Sequence, residues 1–153
     1  MKPVLDQDLN PLRSLAHSLT LLLQRRVHFP RGRVGHRLEL DGEAWLIFRE
    51  IVVDPRPGQQ LQPGANFQPR FHLRGMSARA NMLFSWLPVP FFIGLPGFRS
   101  KLWLYSPASG DFSGWYAWDS AEDAQRYSRS YAAKFMARRS VPGSVSFRVI
   151  AVD

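Results

Sequence analysis

Apolar residues recur along this chain with two periods, and the switches between them mark its elements. Leu12, Leu15, Ala16, Leu19, Leu22 and Leu23 share one stripe of a 3.6-residue repeat. Asn10 suits the N-cap and Pro11 the first helical position, so a helix is predicted over Pro11–Arg26. The stripe is expected to dock on its own domain or on a dimer mate, with a membrane surface as the alternative because the helix ends are basic. Arg37–Leu40 and Ala44–Val53 then read as strands around the turn Asp41-Gly42. Both faces of the second strand are largely apolar, so it is expected to be covered on both sides. Residues 54–66, with three prolines and two glycines, form a loop that reads as a linker before it reads as a flap.

The rest of the chain alternates the two periods in the order β-α-β-β-α-β. Phe67–Gly75 reads as a strand, with Pro69 marking its start or an edge. Ser77 can cap a helix running to about Leu87, where Pro88-Val89-Pro90 ends it. Phe98–Tyr105 and Phe112–Trp118 are strands joined by the turn Pro107–Asp111. Ser120 starts a second helix, with Asp123 at the capping-box position and Ala124, Tyr127, Ser128, Tyr131 and Phe135 as its buried stripe. Pro142-Gly143 leads to a last strand over Ser144–Val152. The division expected is 1–66 as a helix-and-hairpin extension ending in the loop, and 67–153 as the βαββαβ module.

Composition narrows the function classes. The 153 residues are 45% hydrophobic and contain no cysteine, which excludes disulfides, thiolate nucleophiles and zinc–sulfur sites. The first 26 residues lack the basic start and cleavage site of a signal peptide, and the apolar stretch Met82–Ile93 is too short to span a bilayer. The expected location is the cytoplasm. The formal charge is +8, but its arginines are scattered among apolar residues, so no nucleic-acid partner is expected. A peripheral membrane contact through residues 11–26 is the weaker partner expectation.

Candidate chemistry lies on the module. Arg70, His72 and Arg74 alternate on one strand face. That face reads as a polar or interface surface, or as a pocket wall in which His72 is a base and Arg70 and Arg74 hold an oxyanion. Trp103, Tyr105, Tyr116 and Trp118 form a cross-strand aromatic group, either sheet packing or the lining of a site for a flat substrate. Tyr127 and Tyr131 read first as core, with hydroxyls that could reach such a pocket. Arg99 and Lys101 beside the Pro-Gly-Phe turn are expected to be solvated. No metal-ligand spacing is present, so no metal is expected. No cofactor motif is present either, although haem ligation by His72 stays open because one axial histidine leaves no spacing signature.

The segment PFFIGLPGFRSKLWLYSPASGDFSGWYAW (Pro90–Trp118), followed by Asp119-Ser120-Ala121, carries a family resemblance. Its Pro-Gly-Phe turn after the first helix, and its Tyr-x-Trp-x-Ser end of the third strand, resemble the dimeric α/β-barrel superfamily, in particular the YdhR-like monooxygenases. The resemblance covers roughly Phe67–Asp153. It implies an α+β, ferredoxin-like antiparallel sheet with two helices on one face, and a homodimer whose sheets close a barrel. It also implies a ligand pocket between sheet and helices. The implied function is a small-molecule protein similar to cofactor-independent monooxygenases, or to a related isomerase or cyclase, acting on a hydrophobic aromatic or polyketide-like substrate. The alternative is a non-catalytic protein that binds such a ligand.

Overall fold

The computed structural model describes residues 10–152. Its helices are α1 (Pro11–Leu23), α2 (Ala78–Phe84), α3 (Val89–Phe92), α4 (Ala121–Ser128) and α5 (Tyr131–Arg138). Its strands are β1 (Val27–His28), β2 (Arg37–Leu40), β3 (Glu43–Val53), β4 (Ala65–Phe71), β5 (Phe98–Tyr105), β6 (Phe112–Trp118) and β7 (Ser146–Ala151). All seven belong to one antiparallel sheet in the order β1-β3-β5-β6-β4-β7, with β2 also on β3. The strands β5-β6-β4-β7 are the βαββαβ set. The early hairpin extends the same sheet, because β3 pairs with β5 from Leu46↔Tyr105 to Val52↔Ser100.

Local chemistry explains most boundaries. Asp41 and Gly42 both take positive φ, which the two-residue turn between β2 and β3 requires. Pro69 lies inside β4 and not at its start. The ladder from β4 to β6 skips Gln68 and Pro69, so the missing N–H costs no bond there, and the Pro69 carbonyl accepts the Ser113 hydroxyl at 2.5 Å. β4 stops at Phe71, so the predicted alternation through His72 and Arg74 is not realised.

Two predicted helices are each divided. The first ends at Phe84 because Ser85 turns its hydroxyl to the Met82 carbonyl, which also accepts from Arg49 Nη2. Val89–Phe92 is then a separate short helix with its prolines at the start. The second breaks at Arg129, and Ser130 caps α5 by accepting from the Ala133 N–H at 3.2 Å.

α1 forms where expected, with Asn10 accepting from the Leu12 N–H, but its orientation is reversed. Ser14, Ser18 and Leu21 are its buried residues, whereas Leu12, Leu19, Leu22 and Leu23 are exposed. The small serines allow close approach to the α3 segment. Ser14 and Ser18 donate to the carbonyls of Phe91 and Pro90, and His17 Nδ1 lies 2.9 Å from the Gly94 carbonyl. A side chain at Gly94 would collide with this helix backbone.

The main core lies between the helices and the sheet, with Ile51, Phe67, Phe92, Trp103, Tyr116, Trp118 and Tyr127 buried in it. A smaller cluster, Trp45, Ile47, Leu102 and Leu104, occupies the opposite sheet face. The strand β3 contributes to both, because a bulge between Ile47 and Arg49 sends Trp45 and Ile47 to one face and Ile51 and Val53 to the other.

Candidate functional site

A cavity of about 60 Å³ lies between the sheet and helices α2, α3 and α5. Strands β5 and β6 supply its floor with Lys101, Trp103, Phe112 and Tyr116. Asn81 and Ser85 from the α2 end, and Phe135, Met136 and Arg139 from the α5 end, close it.

Lys101 is the exceptional group. It is 8% exposed, and its Nζ sits 4.3 Å from the ring centroids of both Trp103 and Tyr116 and 4.9 Å from that of Phe92. The aromatic faces supply the attraction, with no carboxylate paired to it among the described residues. Burial, and then the nearby charge of Arg49, hold its pKa well below the ordinary lysine value. Gly114 makes the arrangement possible, because a Cβ there would lie 2.5 Å from the Tyr116 ring and 3.4 Å from Lys101 Cε. The expectation of a solvated Lys101 and Arg99 is therefore overturned. Arg99 is also buried, paired with Asp119 and donating to the Leu61 carbonyl.

Arg49 reaches the same region through a bulge in β3 between Ile47 and Arg49. The bulge lets Phe48 and Arg49 both turn to the helix side. The guanidinium stacks 3.8 Å from Trp86 and 5.1 Å from Trp103, and donates to Ser85 Oγ and the Met82 carbonyl at 2.7 Å. Burial lowers its pKa to about 10. Behind the floor, the Tyr127 hydroxyl donates to the Tyr116 hydroxyl at 3.1 Å. Burial raises the pKa of both phenols, so they stay neutral.

The residues singled out from sequence separate into three places. Trp103, Tyr116 and Tyr127 line the cavity. Trp118 is fully buried beside it, against Phe98 and Tyr127, and Tyr105 packs on Phe112. Tyr131 is turned to the Phe91 carbonyl and lines an apolar groove with Pro11, Leu87 and Phe135. Arg70 and His72 lie elsewhere, at the hairpin ends. Arg70 is bound to Glu43 and Asp111, with its guanidinium 5.2 Å from the Trp45 ring. His72 Nδ1 lies 2.8 Å from Asp111 Oδ1, with 48% of the side chain exposed. Arg74 is exposed. Lys101 in the cavity lining, and Arg49 beside it against Trp103 and Ser85, are the groups that sequence reading missed. The available signals were that Lys101 shares a strand face with Trp103, and that Gly114 interrupts the facing strand.

Among the described residues, no group of three or more histidine and carboxylate side chains is placed to hold a metal. A histidine-ligated haem requires an axial imidazole and a slot of porphyrin size. No histidine lines this cavity of about 60 Å³, so its residues do not fit that group.

Solved structures share the architecture. A ferredoxin-fold protein from Listeria monocytogenes 4b F2365, related to antibiotic biosynthesis monooxygenases, aligns with TM-score 0.56 and 14% identity over 78% of this chain and 70% of its own. The fold is ferredoxin-like. A haem-degrading enzyme from Listeria monocytogenes aligns with TM-score 0.55 and 13% identity over 90% of this chain and 94% of its own. A monooxygenase-like protein from Listeria innocua gives TM-score 0.55 and 13% identity, over 90% of this chain and 88% of its own. No family model and no curated protein sequence matches the chain. The ferredoxin-like frame accounts for where the cavity lies, between one sheet face and the helices that cross it. It does not assign the chemistry, which rests on the side chains.

Proposed function

We propose that this ferredoxin-like chain acts on a flat hydrophobic molecule, aromatic or polyketide-like, held between the helices and the sheet. The observation that carries the reading is the Lys101 amine, buried against three aromatic rings with no acidic partner. A binding site of this kind is mostly apolar with a few placed polar groups. The cavity is small as it stands, so a ligand would displace the rim side chains Phe135, Met136 and Arg139.

The reaction class we favour is that of a cofactor-independent monooxygenase. Burial shifts Lys101 toward its uncharged amine, the form that can accept a proton from an acidic C–H or phenol, and the nearby Arg49 charge favours the resulting anion. That anion is the electron donor to dioxygen; a substrate methylene becomes a carbonyl, and the second oxygen atom leaves as water. His72, Arg70 and Arg74 remain candidates for a separate role at the hairpin ends. We further propose a cytoplasmic homodimer, as the resemblance implies.

A second reading, non-catalytic binding of the same molecules, is favoured by the Tyr116–Tyr127 hydrogen bond, which commits the Tyr127 proton to Tyr116. The test is quenching of tryptophan fluorescence by 2-naphthol, together with oxygen uptake on tricyclic ketones bearing an acidic methylene. Binding and uptake that both disappear in Lys101→Met support the enzyme. Lys101-dependent binding without oxygen uptake supports the binder, and binding unchanged in Lys101→Met overturns both.

A further inference from the structure

The reversed orientation of α1 leaves an apolar ridge outside the fold. Leu12, Ala16, Leu19 and Leu23 lie on the side of the helix away from Ser14, Ser18 and Leu21, and extend it by roughly 16 Å at 1.5 Å per residue. Leu12 is 75% exposed and Leu23 85%. The ridge does not stand alone. Pro11, Leu87, Phe91, Tyr131 and Phe135 line one groove of about 320 Å³, which joins the start of α1 to the α3 and α5 surfaces. Leu83, Phe84 and Trp86 are also exposed on the neighbouring α2 segment. Apolar surface this extensive usually marks an interaction site.

Charge decides between partners. The chain has no acidic residue over 9–38, over 55–110 or over 124–152. Helices α1, α2, α3 and α5 therefore carry none. Arg79, Arg129, Lys134 and Arg138 are exposed among or next to them, and Arg25 follows α1. Among the described residues the acids instead occupy the β2–β3 hairpin, the turns at Asp54, Asp111 and Asp119, and α4; in sequence, Asp6 and Asp8 precede α1. An apolar ridge flanked by basic side chains complements a negatively charged, apolar-cored surface, and Asp54, Asp119 and Asp123 line a pocket with His17 and Leu21 on the other side of α1.

We infer that the α1–α2–α5 face docks on an anionic lipid surface, with the leucine ridge entering the headgroup–acyl boundary and the arginines on lipid phosphates. The groove shares Pro88, Ala132 and Phe135 with the cavity wall. A docked chain would thus present the cavity rim to molecules dissolved in the lipid. The docking itself does not depend on what the cavity does.

The experiment is flotation of the full chain with phosphatidylcholine vesicles, with and without about 30% phosphatidylglycerol. The wild type should float with the anionic vesicles, bind neutral ones much more weakly, and dissociate in high salt. The triple variant Leu12→Ser, Leu19→Ser, Leu23→Ser alters only exposed side chains. It should keep the wild-type circular dichroism and bind about tenfold or more weakly. Leu61→Ser, an equally exposed leucine on the loop beside Asp119, should bind as the wild type does. Absence of wild-type flotation overturns the inference, as does equal flotation of the triple variant. If neither protein floats and the triple variant instead splits a wild-type dimer in sedimentation, the ridge is a subunit interface and the inference also fails.

Discussion

Two basic clusters on the same sheet have opposite environments. Lys101 and Arg49 lie on the helix side, desolvated, near aromatic rings and without a carboxylate. Arg70 and His72 lie at the hairpin ends, partly exposed, and share Asp111, with Glu43 completing the group. In the first cluster burial pushes both pKa values down. In the second, desolvation of Arg70 is outweighed by Asp111 and Glu43, so its pKa rises. A cation that has lost water and gained no anion lowers stability, which a fold retains most readily where the group has a task. A cation satisfied by two carboxylates needs only a structural explanation. The difference makes the cavity the better place to look for chemistry, although the hairpin cluster was the more visible one in sequence.

Trp103→Ala removes the ring that both cavity cations face, and leaves a void in the main core. It should cost about 3–5 kcal/mol in denaturant unfolding. A loss under about 1 kcal/mol would mean that the cage is not a packed unit.

Lys101→Met should do the reverse, stabilising the fold by about 1–3 kcal/mol at neutral pH, because a methionine fits the aromatic surroundings without desolvation. The sign with pH follows from linkage. The unfolded lysine holds its proton up to about 10.5, whereas the folded one releases it at lower pH. Wild-type stability should therefore rise between the folded pKa and about pH 10, and this slope should flatten in the variant. A destabilised Lys101→Met would make the lysine a structural group.

Arg70→Met should cost about 0.5–1 kcal/mol at pH 7, as expected for a partly exposed pair. The Ser106 hydroxyl first, then Arg70 and Ser109, hold the Glu43 carboxyl below its usual value against the opposing effect of desolvation. That stabilisation is complete above the unfolded value of 4.5 and lost as pH falls through the folded one, so variant and wild type should converge in acid. His72→Ala is the mildest change, under about 0.5 kcal/mol, with oxygen uptake and naphthol binding intact. Abolished uptake with normal folding would move the site to the hairpin ends.

The legible part of the site was its aromatic wall. Trp103 and Tyr116 could be read from strand alternation and Tyr127 from the helical stripe, because these periods report directly which residues share a face. Lys101 was not legible, since a lysine between Ser100 and Leu102 normally reaches water. Rings from three elements cover it, Phe92 of α3, Trp103 of β5 and Tyr116 of β6, the last admitted by Gly114. Arg49 was hidden by a bulge, which turns strict alternation into two successive side chains on one side.

By itself, the sequence determined the Asp41-Gly42 hairpin, the caps at Asn10, Ser77 and Ser120, and the βαββαβ pattern of the C-terminal half. These depend on residues close in the chain. Tertiary structure decided which face each element presents and what it meets. It joined β3 to β5, so that hairpin and module share one sheet. It turned Ser14, Ser18 and Leu21 of α1 inward and Leu12, Leu19, Leu22 and Leu23 outward, because Gly94 and the α3 carbonyls offered the two serines close backbone contact. It also buried Lys101, since burial depends on strands and helices distant in sequence closing over the same point.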